Sequence, residues 1–207
     1  MPNAAPAAAP PSRRDATREA ILAAALRSFG REGYRRTALD RVAREAGISR
    51  AAVYLHFANK EELFRALVTD LHARALAAAA AAADAGGELT ERLTAILVAK
   101  TGRFFELLRA SEHAEEFLDE NHRQCGAISA AFAAKHARLL SRVIARAAAA
   151  GEVSLSAPGA SAPQIAELLL DTAEGIKARN RPSLSARAYE RRLGQAVRIL
   201  IAGLQRR

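Results

Sequence analysis

The residues with the most chemistry to offer lie close together, between Thr37 and Lys60. Arg50, Ala51 and Tyr54 follow Ser49 at spacings that put them on one side of a short helix, and Val53 and Phe57, four apart, mark its other side as buried. An arginine so placed can fork onto guanine O6 and N7, or pair with a phosphate. Ala51 is small enough to let backbone approach base edges, and its methyl can touch that of thymine. Tyr54 can hydrogen-bond a phosphate or pack on a base edge; core packing is the weaker alternative, because the inner side is already taken. His56 and Lys60 can meet phosphate at the start of the next helix, where free amides favour an anion, or stand as ordinary solvated groups. Thr37 can do the same at the start of the preceding helix.

These side chains need helices to hold them. The chain is rich in Ala and Arg and shows no alternating strand pattern, so the fold class is all-α. Ile21, Leu22, Ala25, Leu26 and Phe29 trace one face of a helix from about Asp15 to Gly30, ended by Gly30 and Gly33. Thr37 is expected to cap a second helix, with Asp40 as reciprocal partner and Leu39, Val42, Ala43 and Ala46 buried. Gly47 supplies a left-handed end, Ile48 plugs the core and Ser49 caps the third helix. Asn59 and Glu62 cap a fourth, carrying Leu63, Phe64, Leu67, Val68 and Leu71. Beyond Gly86-Gly87, long helices are expected at about 88–110, 122–150, 163–180 and 185–205, with a shorter one near 112–119.

The totals fit an anionic partner. The formal net charge is +9, and residues 13–65 hold 12 Lys/Arg against 7 Asp/Glu. Positive charge is therefore densest where the candidate residues lie. The lone Cys125 excludes an internal disulfide and a cysteine-based zinc site; a sensing role is set against the usual inertness of a buried thiol. His113, Glu115, Glu116, Asp119, His122 and Cys125 match no standard metal spacing, and no nucleophile–base set or phosphate loop suggests an enzyme or a cofactor. The start lacks the order of a secretory signal, and no stretch reads as a membrane span, so a cytoplasmic protein with no membrane partner is expected.

The run VYLHFANKEEL (53–63), within the longer segment Thr37 to Leu63, resembles the signature of the TetR family of bacterial regulators. The helix from Ile21 to Gly33 is similar too, and the strong likeness covers about residues 13–68. The resemblance implies a three-helix, helix-turn-helix DNA-binding domain joined to a helical ligand-binding and dimerisation domain. It implies a homodimer on a palindromic double-stranded DNA operator, closed by a four-helix bundle of the last two long helices. A ligand in the C-terminal domain would move the fourth helix and lower DNA affinity, making the protein a repressor. By position in the motif, Arg50, Ala51 and Tyr54 become base contacts, and Thr37, Tyr54, His56 and Lys60 phosphate contacts. Arg13 and Arg14 match no motif residue but can serve as a basic arm for the minor groove.

The expected division is a disordered tail over 1–12, a DNA-binding domain over 13–60 and an effector and dimerisation domain over 61–207. Phe104, Phe105, Leu108, Phe117 and Phe132 are apolar candidates for core or pocket in the latter. Phe105 and Phe117 are the candidate lining of a pocket for a small apolar effector. The alternative is a constitutive or architectural DNA binder with no effector.

Overall fold

The computed structural model of the chain describes residues 12–109, 111–156, 161–179 and 185–204; the side chains of 102–109 lie outside it. The tail expected over 1–12 therefore falls, except for Ser12, outside the described residues. Those residues form eight helices and no strand: α1 (Arg13–Glu32), α2 (Leu39–Ala46), α3 (Arg50–Tyr54), α4 (Lys60–Asp84), α5 (Leu89–Arg109), α6 (Ala114–Ala149), α7 (Ala162–Arg179) and α8 (Ala186–Ala202).

Local chemistry sets the ends. Ser12 and Asp15 form a reciprocal cap on α1, so Arg13 and Arg14 sit in its first helical turn instead of forming a free arm. Gly33 ends α1 at φ 81° and ψ 160°, a backbone open in practice only to glycine. Gly47 ends α2 in the left-handed region, at φ 68°. Ser49 accepts a hydrogen bond from the Ala52 amide at 3.1 Å, and Asn59 accepts from the Glu62 amide at 2.7 Å.

Two expectations need correcting here. The residue that starts α2 is Ala38, with no side-chain cap. Thr37 is buried, and its hydroxyl donates upstream to the Gly33 carbonyl at 2.7 Å. A threonine hydroxyl reaches a carbonyl four residues back as readily as an amide three ahead, and here the turn after α1 claims it. The short helix near 112–119 and the long one after it are one helix, α6. The charged run between them holds no proline, and Gly126 is absorbed within the helix.

The apolar side chains form two cores. The first joins Ile21, Leu22, Phe29, Val42, Val53, Phe57, Leu63, Phe64 and Leu67. It extends past residue 60, taking Leu63 to Val68 from α4 and Phe117 and Cys125 from α6. The second joins Leu93, Ile96, Leu97, Leu140, Ile144, Leu169, Leu193, Val197 and Ile201. By length and composition alone, α4 is apolar enough to cross a membrane, contrary to expectation, because its second half is nearly all alanine. In the fold it contributes Leu63 and Phe64 to one core and Ala79 and Ala83 to the other.

Candidate nucleic-acid interface

Val53 and Phe57 are sealed in the first core at 0% and 2% exposure, and that fixes how α3 faces outward. Arg50, Ala51, Tyr54 and Leu55 are exposed on its far side. The Arg50 guanidinium donates to the Asp40 carboxylate at 2.9 Å and to the Tyr54 hydroxyl at 3.4 Å, and lies 5.4 Å from the Tyr54 ring centre. Tyr54 and Asp40 together hold it even more firmly protonated than usual. Arg50 and Tyr54 thus form one flat, cationic unit, orientated from α2, that projects from a helix narrow enough for the major groove.

Beside it lies an open groove of about 380 Å³ between the starts of α2 and α4, bordered by Arg35, Arg36, Asp40, Arg50, Tyr54 and Lys60. The uncapped start of α2 faces this groove, so its first amides remain available to an oxygen anion. Lys60 opens α4. Its ammonium donates to the Tyr34 and Arg35 carbonyls at 3.0 and 3.2 Å and lies 4.5 Å from the Tyr34 ring centre. It therefore braces the turn between α1 and α2 as well as lending charge. His56 is half-buried beside Phe57.

The structure brings Arg50, Tyr54 and Lys60 to one groove with Ala51 exposed nearby; Thr37 also lines that groove, but its hydroxyl is turned to the Gly33 carbonyl. Arg35 and Arg36 belong to the same rim and were missed. Two consecutive arginines just ahead of a helix start are the signal that could have found them. Arg36 is held by the Glu32 carbonyl at 2.9 Å and by His113 Nε2 at 2.9 Å.

The turn that carries these arginines is clamped from α6 and the residues just before it. The Glu116 carboxylate accepts from the Arg35 amide at 2.6 Å, Ser111 donates to the Gly30 carbonyl at 2.6 Å, and Gln124 donates to the Tyr34 hydroxyl at 2.9 Å. His113 and Glu116, considered from sequence as metal donors, are committed to this clamp. Phe117, a candidate pocket residue from the sequence, sits close to this clamp. It is 5% exposed and packs in the first core, which takes in the DNA-binding helices, with its ring centre 4.9 Å from that of Phe64. The side chain of Phe105 lies outside the described residues. Cys125 is buried in the same core, and burial pushes its thiol up, away from the reactive thiolate.

Comparison with known proteins places this face in context. Residues 21–67 match the model of the family described as bacterial regulatory proteins, tetR family. The HTH-type transcriptional regulator TtgR of Pseudomonas putida is 48% identical over 56 residues, which is 27% of either chain. The matched segment thus spans about a quarter of that relative's length. Whole-chain likeness comes from solved structures. SmeT, the repressor of the Stenotrophomonas maltophilia multidrug efflux pump SmeDEF, superposes with a TM-score of 0.63 at 26% identity, covering 93% of this chain and 92% of its own. A transcriptional regulator from Rhodococcus sp. Rha1 superposes with a TM-score of 0.68 at 22% identity, covering 92% of this chain and 98% of its own.

Proposed function

We propose, from the premise that this chain's DNA-binding segment belongs to the TetR family of bacterial regulators, that the whole chain is a sequence-specific DNA-binding repressor. The observation that carries the reading is the orientation of α3. Its apolar side is locked in the core, and Arg50, Ala51 and Tyr54 stand clear of the chain's own later helices. Arg50 and Tyr54 read base edges. Lys60, His56, Arg35, Arg36 and the open start of α2 hold the phosphates on either side. Arg13 and Arg14, at the exposed start of α1, extend the positive surface.

One helix of this length reads only a few base pairs, so useful discrimination requires two copies on a two-fold site. The dimer pairs α7 and α8 across the axis. Leu168 and Ile199 are large apolar side chains exposed on those helices, as such an interface requires. A ligand bound among α4 to α7 changes the spacing of the two α3 helices and releases the operator. The likeness to SmeT supports repression as the direction of control. Selecting bound fragments from a random duplex pool tests the reading directly. An inverted repeat is the expected result, and a pool with no consensus at low salt would leave only non-specific DNA binding.

A further inference from the structure

Among the residues whose side chains are described, the two apolar cores do not merge, and polar groups of α4 and α6 lie between them. α4 contributes Leu71 to the first core and Leu76 to the second; α6 contributes Ile128 and then Leu139. Between these limits the two helices present His72, Ser129, Phe132 and His136. Phe132 is 9% exposed yet belongs to neither core. It stacks on the His72 ring at 5.2 Å, and His72 Nε2 meets the Ser129 hydroxyl at 3.2 Å.

His136 is the anomaly in this layer. It is 1% exposed. Its Nδ1 lies 2.9 Å from the Phe132 carbonyl, which can only accept, so Nδ1 carries the proton and Nε2 a bare lone pair. That lone pair is buried with no hydrogen-bond partner among the described residues. An unsatisfied buried acceptor costs about 1–3 kcal/mol, which a merely structural histidine in an alanine-rich helix would not require.

Positive charge lies on the helices packed beside α6. Lys100 of α5 and Lys177 of α7 are each mostly buried and share one carboxylate, Glu174, at 2.7 Å apiece. Among the described side chains, two ammonium groups share this one half-exposed carboxylate. Burial lowers both imidazoles from their ordinary value; His136 adds to the lowering at His72, and the charge of Lys100 contributes at both.

We propose that this layer is a binding site for a small organic acid with a ring and a hydroxyl: the carboxylate pairs with Lys100, the hydroxyl donates to His136 Nε2, and the ring packs against Phe132 and His72. The ligand differs from the small apolar effector expected from the sequence. That it acts as effector rests on the regulator reading above; that it binds does not.

The test uses the full-length protein without DNA. 4-Hydroxybenzoate is the probe, with benzoate (no hydroxyl) and 4-hydroxybenzamide (no charge) as controls, followed by calorimetry and by the ¹⁵N resonance of His136 Nε2. The acid with a hydroxyl binds most tightly and moves that resonance, which a structural histidine would not do. Lys100→Met and His136→Leu each weaken its binding by about tenfold or more, roughly 1.4 kcal/mol. If either variant fails to fold, the wild-type resonance and the two controls still decide. No heat and no shift up to about 10 mM probe, weaker than a typical small-ligand affinity, overturns the proposal. So does equal binding of the uncharged amide, or variants that bind as the wild type does. Acid binding by a protein that selects no DNA sequence would sink the regulator reading and leave this one standing.

Discussion

Arg50, proposed to read base edges, is already restrained in the free protein. Asp40 holds one edge of its guanidinium and Tyr54 supports its plane, both on an exposed surface where the ion pair itself contributes little stability. The pair acts by orientating the arginine. Arg50→Ala should flatten the preference at one base position per half-site, a loss of about 1–3 kcal/mol in discrimination, seen by titrating single-base operator variants. Asp40→Ala should do something different. It removes a negative charge from the groove proposed to meet the phosphates and frees the arginine, so affinity for scrambled duplex should rise while the ratio of specific to non-specific binding falls. An unchanged ratio in that variant would show that Asp40 has no orientating role. Lys60→Ala should weaken binding to every sequence and lower the salt slope by about one, because its charge is sequence-blind. These outer residues were legible in the sequence because the helical period separates them from Val53 and Phe57. Thr37 was misread because its hydroxyl has two local uses, and only the packed turn decides between them. His136 gave no signal at all, being a single polar residue in a long helical run.

At the scale of elements, the turn between α1 and α2 is the least replaceable piece. Gly33 combines a glycine-only backbone with close approach of Glu116 and His113, where a methyl group would overlap the Glu116 carboxylate. Gly33→Ala should destabilise the protein by about 1–3 kcal/mol and weaken DNA binding as well, since Arg35 and Arg36 ride on the same turn. Gly47→Ala has open space around the new methyl and pays only for its left-handed backbone, about 1–2 kcal/mol. Denaturant titration of the two variants distinguishes the sites. The helices themselves were legible from periodicity and from the glycine and serine punctuation. The continuity of α6 was not, because a charged run resembles a loop when nothing shows that its charges are engaged. Glu116 and Gln124 bond to Arg35 and Tyr34, far away in the chain, and such partners leave no local pattern. The same distance hid the place of Phe117 against Phe64.

For the whole molecule, acid is a useful probe. His72 and His136 are held below their ordinary value, mainly by burial, so the folded state binds fewer protons there than the unfolded chain does. Their contribution is intact above the unfolded value near 6.5 and is lost as pH falls below it toward the lower folded values. Glu174, lowered to about 2 although burial opposes it, adds a second loss, but only below the ordinary carboxylate range. The melting temperature should therefore hold steady above about pH 7 and decline between about pH 6.5 and 5, and His136→Gln should reduce that decline. A variant whose profile is as steep as the wild type would remove His136 from the account.

α4 and α6 each begin in the first core and end in the second, running side by side in the same direction. Phe64 meets Phe117 at one end, and His72 meets Ser129 and Phe132 midway. A head carried on a single stalk can swing and change its tilt. One carried on two parallel struts keeps its tilt and slides sideways, like a tray on a folding linkage. Whatever disturbs the struts at their midpoint should thus shift the reading helices along the DNA axis with little change in attitude, so that operators differing only in the length of their central spacer would respond unequally to the same effector.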